Sequence, residues 1–253
     1  MNNLSFIGII PARYASTRFP GKPLATLGGK PVIQRVYEQA SQVLPNVVVA
    51  TDDERIAQAV EAFGGRCIMT RSDHQSGTDR CMEAYEKNGG GEDVVINIQG
   101  DEPFVHPDQL RAIMACFGDD CTDIATLIKP FDPCRPVAEL QNPNAAKVVV
   151  DSDWNALYFS RSVVPFLRGI PEEEWPSRHQ FYTHLGMYAY RAHVLHAIST
   201  LPQSSLELAE KLEQLRWLQN GYIIKVGISN IETIGIDTPD DLARAEEYLQ
   251  SKR

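Results

Sequence analysis

Apolar runs and amphipathic segments alternate along the first half of the chain. Residues 4–10, 46–50 and 93–98 are mostly apolar, which is typical of strands that are covered on both faces. The segments between them repeat apolar residues every three or four positions, as one face of a helix does. This alternation predicts an α/β fold with a Rossmann-like, mostly parallel sheet that is flanked by helices.

Capping residues mark where several helices begin. One helix is predicted from Pro31, which suits a first turn, because four apolar residues then share a face: Val32, Ile33, Val36 and Ala40. Asp52 or Asp53 can cap a second helix that runs to Phe63, where two glycines stop it. Further strands are predicted at residues 66–70, 124–128, 184–190 and 222–228, and further helices at 78–87, from 107, at 192–199 and from 239.

The pattern changes in the second half of the chain. Residues 147–150 and 156–159 are apolar and flank a turn-rich segment, which predicts an antiparallel hairpin. Residues 170–180 are rich in Pro, Glu and Ser and predict an excursion over the surface. We expect one domain over residues 1–253, with 147–190 as an antiparallel elaboration that contributes to a ligand pocket and to subunit contact.

A single long helix is predicted at residues 206–220, ended by Gly221. Its buried stripe would consist of three leucines: Leu208, Leu212 and Leu215. Spacings of three and four would place Glu210 beside Glu213 and Gln214 on a common face. A solvated acidic face is the ordinary meaning of this pattern, and a sugar-binding face is the alternative.

Composition and charge narrow the class of protein. The 253-residue chain is 43% hydrophobic and 23% charged, as an ordinary globular enzyme is. Its net charge of -9 argues against nucleic acid or an anionic membrane as a partner. No apolar run approaches the roughly 20 residues that span a bilayer, and no secretory signal is recognisable. Five cysteines without a C-x-x-C pair fit reduced thiols better than a metal site, so we expect a cytoplasmic protein.

The loop after the first strand carries three cations, Arg13, Arg18 and Lys22, and no acid precedes Glu38. Prolines and glycines restrict this loop and keep it from forming an ordinary helix. Neither a Walker motif nor a dinucleotide-binding G-x-G-x-x-G motif is present, so side-chain cations would have to bind any phosphate. The loop therefore predicts a site for a small polyanion, and the alternative is three solvated surface charges.

Two aspartates follow elements of the predicted sheet. Asp101 comes directly after the fourth strand, where ligands of open parallel sheets bind. A carboxylate opposite a phosphate-binding loop suggests Mg²⁺, which prefers oxygen ligands; a turn-capping role is the alternative. Asp237 stands just before the last helix, which Pro239 opens, and a helix cap is its ordinary role.

His184 and Tyr188 stand four residues apart on a predicted strand. Side chains at that spacing lie on the same side of a sheet. A histidine there is more often a buried, hydrogen-bonded residue than a ligand.

Eight segments match one known family in order and cover almost the whole chain. They are residues 10–24, 50–53, 73–79, 99–103, 156–161, 184–188, 212–216 and 235–239. The first reads IPARYASTRFPGKPL and the seventh reads LEQLR. Together these segments resemble the CMP-Kdo synthetases, the 3-deoxy-manno-octulosonate (Kdo) cytidylyltransferases. The two quoted segments separate them from the related sialic acid cytidylyltransferases.

The resemblance implies a fold of the nucleotide-diphospho-sugar transferase type and a Mg²⁺-dependent enzyme that is usually a homodimer. It implies that CTP and Kdo react to give CMP-Kdo and pyrophosphate for lipopolysaccharide biosynthesis. Residues implied to bind the nucleotide are Arg13, Arg18, Lys22, Ser76, Gly77 and Gln99. Residues implied to line the Kdo pocket are Gln99, Arg161, His184, Tyr188, Glu213 and Gln214.

The resemblance also implies a catalytic set: Arg13, Lys22, Asp101 and Asp237. Of these, Asp101 and Asp237 would bind Mg²⁺. Kdo carries a carboxylate of its own, for which Arg161 or His184 would be the partner.

Two positions depart from the family pattern, and two alternatives remain. Thr183 stands where family members commonly carry an arginine, and Phe19 replaces a common leucine. One alternative is the same reaction on another acidic sugar, such as sialic acid or an amino-substituted Kdo. The other is a protein that binds a nucleotide without catalysis, against which the presence of Lys22, Asp101 and Asp237 argues.

Overall fold

The computed structural model describes residues 4–231 and 234–251. In chain order the strands are β1 Phe6–Ala12, β2 Thr26–Leu27, β3 Lys30–Pro31, β4 Asn46–Thr51, β5 Cys67–Met69, β6 Val94–Asn97, β7 Ile124–Pro130, β8 Lys147–Val150, β9 Ala156–Ser160, β10 Tyr182–Arg191 and β11 Ile224–Ile228. The helices are α1 Val32–Ser41, α2 Glu54–Ala62, α3 Gly77–Lys87, α4 Pro107–Ala115, α5 Val137–Leu140, α6 Trp175–Arg178, α7 Ala192–Ser199, α8 Ser205–Glu210, α9 Gln214–Gln219 and α10 Pro239–Ser251. Short 3₁₀ turns occur at Lys22–Leu24, Cys116–Gly118 and Glu172–Glu174.

The chain forms two compact units. The first comprises Met1–Arg111, Ala189–Ser199 and Glu232–Arg253, and the second comprises Ala112–Tyr188 and Thr200–Ile231. The expected single domain over residues 1–253, with 147–190 as its elaboration, stays a prediction. Within the part of the chain that is described, no helix is long and apolar enough to cross a membrane.

A parallel sheet forms the centre of the first unit. Strand β1 lies between β4 and β6 and runs parallel to both, so that Ile9 is opposite Val48 on one side and Asn97 on the other. Strand β5 continues the sheet beside β4, again in parallel. Most apolar residues of β1, β4 and β6 are buried, because helices cover both faces of such a sheet. The predicted mostly parallel α/β architecture is confirmed.

The first two long helices form as their sequence pattern predicts. The four apolar residues that share a face of α1 are all buried. Pro31 lies just before that helix, at its N-cap, rather than in the first turn. Asp53 caps α2 by accepting a hydrogen bond from the amide of Arg55, which leaves Asp52 for another contact.

The second unit combines parallel and antiparallel strands. Strand β7 runs parallel to β11, with Thr126 opposite Val226. Strands β8 and β9 form the predicted hairpin, in which Val148 is opposite Phe159. Strand β10 adds to β8 in antiparallel orientation. The predicted antiparallel hairpin is therefore confirmed.

Residues 170–180 are expected to run over the surface, and this prediction is wrong for the middle of the segment. The segment forms the 3₁₀ turn and α6, and the Trp175 side chain is buried in a cluster with Phe131, Leu140 and Phe181. The Trp175 indole nitrogen donates to the carbonyl of Ile170 at 2.9 Å. One large aromatic residue thus anchors a segment whose polar composition indicates only surface.

The single helix expected at residues 206–220 is also wrong. It is broken into α8 and α9 at Lys211, whose φ of 54° is left-handed. Of the three leucines expected on one stripe, Leu212 and Leu215 are buried and Leu208 is exposed. Because the helix axis is interrupted, Glu210 does not share a helix face with Glu213.

Candidate active site

A pocket of about 470 Å³ lies in the first unit, where β1 and β6 end. Three loops line it: the loop after β1, the loop before α3 and the loop after β6. These are the loops that the sequence places at the carboxyl edge of a parallel sheet. The pocket is lined by the residues expected to bind a nucleotide: Arg13, Arg18, Lys22, Ser76, Gly77 and Gln99.

Lys22 lies at the centre of a cluster of charges. Its Nζ donates to Asp101 Oδ2 at 2.5 Å and to Asp237 Oδ1 at 3.0 Å. The other oxygen of Asp237 lies 3.1 Å from the guanidinium of Arg18. Burial by itself lowers the pKa of Lys22, but the two carboxylates outweigh it and raise the pKa above the usual value. Lys22 is therefore a fixed positive charge in the pocket.

Asp237 reaches this cluster because the chain before α10 is tied to the loop after β6. The amide of Ile236 donates to the carbonyl of Asp101 at 2.8 Å. The cap of α10 is a reciprocal pair, in which Thr238 Oγ1 accepts from the Asp241 amide and Asp241 Oδ2 accepts from the Thr238 amide. The alternative role of Asp237 as that cap is wrong, and its carboxylate instead contacts Lys22 and Arg18.

Two glycines allow the pocket loops to approach closely. A Cβ atom at Gly100 would lie 2.7 Å from the carbonyl oxygen of Pro11, so a side chain there would separate the ends of β1 and β6. Gly21 has a left-handed φ of 71°, and a Cβ there would meet the ring of Tyr14 at 2.9 Å. Since only glycine adopts such a φ without strain, Gly21 fixes the turn that leads into Lys22.

Arg13 and Gln99 complete the pocket on the side of these loops. Arg13 is exposed, and among residues 4–231 and 234–251 it forms no ion pair with an acid. Gln99 lines the pocket beside Gly100, and its carbonyl accepts from the amide of Glu102 at 3.2 Å. Burial, followed by the charge of Asp101, raises the pKa of Glu102 to about 7.

The N-terminus of α3 forms the opposite wall. Ser76 caps this helix, since its Oγ accepts from the Asp79 amide at 3.1 Å while the Asp79 carboxylate accepts from the Ser76 amide. A Cβ at Gly77 would lie 3.5 Å from the ring of Pro11, so the backbone passes close to the end of β1. First-turn amides of a helix favour a polar or anionic ligand.

The sequence did not predict two further residues that line the pocket, His74 and Arg80. His74 Nε2 is hydrogen-bonded to Glu83 Oε2, and Arg80 donates to Thr70 Oγ1 at 2.6 Å and to Asp52 at 3.2 Å. Both His74 and Arg80 line the pocket. The available signal was position, because His74 lies inside the matching segment 73–79 and Arg80 follows it directly.

Asp101 and Asp237 offer carboxylate oxygens, the ligand type that Mg²⁺ prefers. Their oxygens converge on one cation, the Lys22 ammonium, which shows that two carboxylates reach a common point in the pocket. Mg²⁺ is commonly held by one or two carboxylates together with substrate phosphates and water. Of the residues that are described, no group of three or more His, Cys, Asp or Glu side chains forms a metal cage. The residues present therefore fit a metal that arrives with a phosphate ligand.

The second unit contains the remaining residues expected to bind a sugar. The ring of His184 lies 5.2 Å from the rings of Phe159 and Tyr188, and Tyr188 in turn packs edge-on against Trp217. His184 Nε2 is 2.9 Å from Thr126 Oγ1. Burial lowers the pKa of His184 to about 4, so the imidazole is neutral at pH 7.

Arg161 is bound to the backbone of its own unit. Its Nε donates to the carbonyl of Glu210 at 2.6 Å, and its two terminal nitrogens donate to the carbonyls of Pro143 and Lys211 at 2.8 and 3.2 Å. A carboxylate partner for this guanidinium would have to use the N–H groups that remain.

Glu213 and Gln214 begin helix α9. Glu213 accepts a hydrogen bond from Arg216 at 2.8 Å. The Gln214 side chain is 4% exposed, and its buried Nε2 has no hydrogen-bond partner among the residues that the structure describes. The structure thus places the expected nucleotide residues together in the first unit and the expected sugar residues, Gln99 excepted, in the second.

Comparison with known proteins relates this chain to one enzyme family. The family model described as cytidylyltransferase matches residues 7–233. A 3-deoxy-manno-octulosonate cytidylyltransferase from Bacteroides thetaiotaomicron is 64% identical over 98% of this chain and 100% of its own length. The enzyme of the same name from Phocaeicola vulgatus is 66% identical over 98% of this chain and 99% of its own.

A solved structure is similar over the same length. CMP:2-keto-3-deoxy-manno-octonic acid synthetase complexed with CTP matches with a TM-score of 0.90 and 42% identity, covering 98% of this chain and 100% of that chain.

Proposed function

Because the chain belongs to the 3-deoxy-manno-octulosonate cytidylyltransferase family, we propose that it transfers CMP from CTP to Kdo and releases pyrophosphate. The observation that carries this proposal is the charge cluster of the first unit. Two carboxylates and the cations Arg18 and Lys22 meet in one pocket, as a polyphosphate substrate and its metal require.

The reaction is an in-line displacement at the α-phosphorus of CTP. The oxygen of the C2 hydroxyl of Kdo forms the new bond to phosphorus, and the bond from that phosphorus to the bridging oxygen breaks. Pyrophosphate leaves with the electron pair, and the hydroxyl proton passes to solvent. Little covalent chemistry is left for the protein, so catalysis consists mainly of positioning and charge neutralisation.

The cations of the first loop would hold the triphosphate. Arg13 and Arg18 are exposed at the pocket, and a guanidinium presents a planar fork that suits phosphate oxygens. Lys22 is a compact charge held deeper in the pocket by Asp101 and Asp237. Ser76, Gly77 and the first turn of α3 would border the cytosine, with Gln99 at the opposite loop.

Mg²⁺ is part of this proposal, with Asp101 and Asp237 as its protein ligands. When bound, it would neutralise charge on the phosphates and help to acidify the attacking hydroxyl. The two carboxylates orient whichever cation lies between them, as they do for Lys22.

In the second unit, we propose that five residues bind Kdo: Arg161, His184, Tyr188, Glu213 and Gln214. The neutral His184, beside the ring of Tyr188, suits a hydrogen bond to a sugar hydroxyl. The buried, unpaired amide of Gln214 is a donor that a sugar oxygen would satisfy.

The setting of the reaction is proposed on the same basis. Activated Kdo would supply lipopolysaccharide biosynthesis, and a CTP-dependent step with reduced cysteines suits the cytoplasm. A homodimer is proposed as well, in which a subunit interface would cover the exposed apolar side chains of Leu157 and Phe166 in the second unit. The mass of the purified protein, measured by light scattering, tests the dimer.

One assay tests the proposed reaction. Pyrophosphate release is measured with Mg²⁺, CTP and Kdo, and then with sialic acid in place of Kdo and with UTP, ATP or GTP in place of CTP. We expect release with CTP and Kdo only. Release with no acidic sugar would refute the enzyme, and a preference for sialic acid would refute the choice of sugar.

A further inference from the structure

Glu210, the last residue of α8, is hydrogen-bonded to the end of strand β9 through both of its carboxylate oxygens. Oε1 accepts from the Ser160 hydroxyl at 2.8 Å, and Oε2 accepts from the backbone amide of Arg161 at 2.9 Å. The charge of Glu210 is therefore directed into its own unit instead of forming part of a solvated acidic face.

The Arg161 side chain returns to the same helix end. Its guanidinium donates to the carbonyls of Glu210 and Lys211. The last carbonyls of a helix have no partner inside the helix, and a cation near them is favoured by the helix dipole. Residues 160–161 and 210–211 thus hold each other by four hydrogen bonds.

This contact coincides with the break between α8 and α9. Lys211 adopts φ 54° and ψ 45°, a left-handed conformation that is unfavourable for a residue other than glycine. Hydrogen bonds on the carbonyls at residues 210 and 211 favour that conformation over continuation of the helix. Glu213 and Gln214 follow directly after the break and take their orientation from it.

We propose that Glu210 is a positioning residue: together with Arg161 it fixes the break between α8 and α9, and so presents Glu213 and Gln214 to the acidic sugar. The part that concerns the sugar rests on the proposed function. In this role Glu210 acts through Ser160 and Arg161, to which its two oxygens are hydrogen-bonded, and not through contact with the substrate.

The two donors that face position 210 explain why a glutamate suits that position. The Arg161 amide only donates, and the Ser160 hydroxyl donates to Glu210 while it accepts from the Ser162 amide at 3.0 Å. A carboxylate accepts from both donors at once. Glutamine keeps one acceptor for the Arg161 amide, whereas methionine has the same length and offers no comparable acceptor.

Steady-state kinetics with CTP and Kdo provide the first test. We expect Glu210→Met to raise the KM for Kdo about tenfold or more, since two partly buried donors lose their partners, and to change the KM for CTP less than about twofold. Glu210→Gln should recover most of the loss. The matched control is Glu173→Met, at an exposed glutamate of the second unit, which should behave as the unmodified protein does.

Hydrogen exchange separates positioning from direct contact with the sugar. In the free protein, the amides of residues 210–215 should exchange faster in Glu210→Met than in the unmodified chain. A raised KM for Kdo with unchanged exchange would overturn the proposal, because it would mean that Glu210 contacts the sugar. Unchanged exchange together with unchanged KM would overturn it as well.

Two further variants keep the test decisive. If Glu210→Met does not fold, Ser160→Ala removes one of the two donors with little change in volume, and we expect about a threefold rise in the KM for Kdo. Arg161→Met combined with Glu210→Met should speed amide exchange at residues 210–215 no more than the worse single variant does, because the two residues fix one junction; additive increases in exchange would overturn the proposal. If the unmodified chain fails to use Kdo, the proposed function fails, and the exchange experiment still decides whether Glu210 fixes the break.

Discussion

Lys22 Nζ lies 2.5 Å from Asp101 Oδ2, although the two residues are 79 positions apart in the chain. The lysine expected to bind phosphate is therefore held by the aspartate expected to bind metal. Within this cluster, the charges of Lys22 and Arg18 balance those of Asp101 and Asp237. A triphosphate with its metal would supply a new partner to each of these groups.

Replacement of Lys22 by methionine tests whether Lys22 helps to bind the triphosphate. Lys22→Met removes the partly buried cation and leaves Asp101 and Asp237 without it. A charge-assisted hydrogen bond contributes roughly 1.5–3 kcal/mol, so we expect kcat/KM for CTP to fall at least about tenfold. The control is Lys30→Met, whose ion pair with Glu38 lies at the surface and whose loss should leave the rate unchanged. If kcat/KM for Lys22→Met equals that of the control, Lys22 does not contribute to the reaction.

Replacement of Asp101 by asparagine tests whether Asp101 binds the metal. Asp101→Asn keeps the shape of the side chain and removes the charge that Mg²⁺ requires. We expect turnover to be abolished with an unchanged circular dichroism spectrum, and the Mg²⁺-dependent rise in CTP affinity, measured by calorimetry, to be lost. Asp108→Asn, at an exposed ion pair with Arg111, is the control. Near-normal turnover by a folded Asp101→Asn protein would contradict the assignment.

The parallel half of the fold could be predicted because its signals are local. Strands such as β4 are continuous apolar runs, and the capping residue Asp53 is two residues from Arg55, whose amide donates to it. The break at Lys211 could not be predicted in the same way. It depends on Arg161, a residue 50 positions away, and the local pattern there favours a continuous helix.

The residues of the candidate site also differ in whether a local pattern in the sequence predicts them. Arg13, Arg18 and Lys22 were recognisable because three cations without an acid stand in one loop. Glu83 was not, since its i,i+4 spacing to Lys87 indicates only an ordinary ion pair on a helix and nothing in the sequence links it to His74. Its role appears only once the loop before α3 folds back onto the helix.

Glu83 predicts a pH dependence of stability. It accepts from the Arg71 amide at 3.0 Å and pairs with His74 and with Lys87. Burial raises its pKa, but its hydrogen bonds and the Lys87 charge outweigh burial and lower the pKa to about 2. A depressed carboxyl pKa stabilises the fold fully above the unfolded value of about 4.5, and the contribution is lost as pH falls toward 2.

Glu83→Gln should therefore flatten the free energy of unfolding across that pH window and lower it at pH 7 by about 1–3 kcal/mol. We also expect the KM for CTP to rise a few-fold, because the loop that carries Ser76 loses its anchor. Urea unfolding at a series of pH values measures the first effect, with the exposed Glu61→Gln as the control. A pH profile identical to that of the unmodified chain would contradict the role of Glu83.

The last prediction concerns His184. Its pKa is lowered, whereas the pKa of an ion-paired histidine is raised. The Thr126 hydroxyl donates to the carbonyl of Met187 at 2.7 Å, so it accepts from His184 Nε2. The imidazole is then neutral, with its proton on Nε2 and a lone pair on Nδ1, which suits a sugar hydroxyl and not a carboxylate.

Burial lowers the pKa of His184 to about 4 from an ordinary value of 6.5, so the unfolded chain binds a proton first as pH falls. Stability should decrease as pH falls from about 6.5 to about 4, and His184→Gln should remove that decrease. An NMR titration of the ring measures the pKa directly, and His193→Gln, at an exposed histidine, is the control for unfolding. A titration midpoint at or above 6.5 would show a protonated ring at Thr126 and would make His184 a partner for the sugar carboxylate instead.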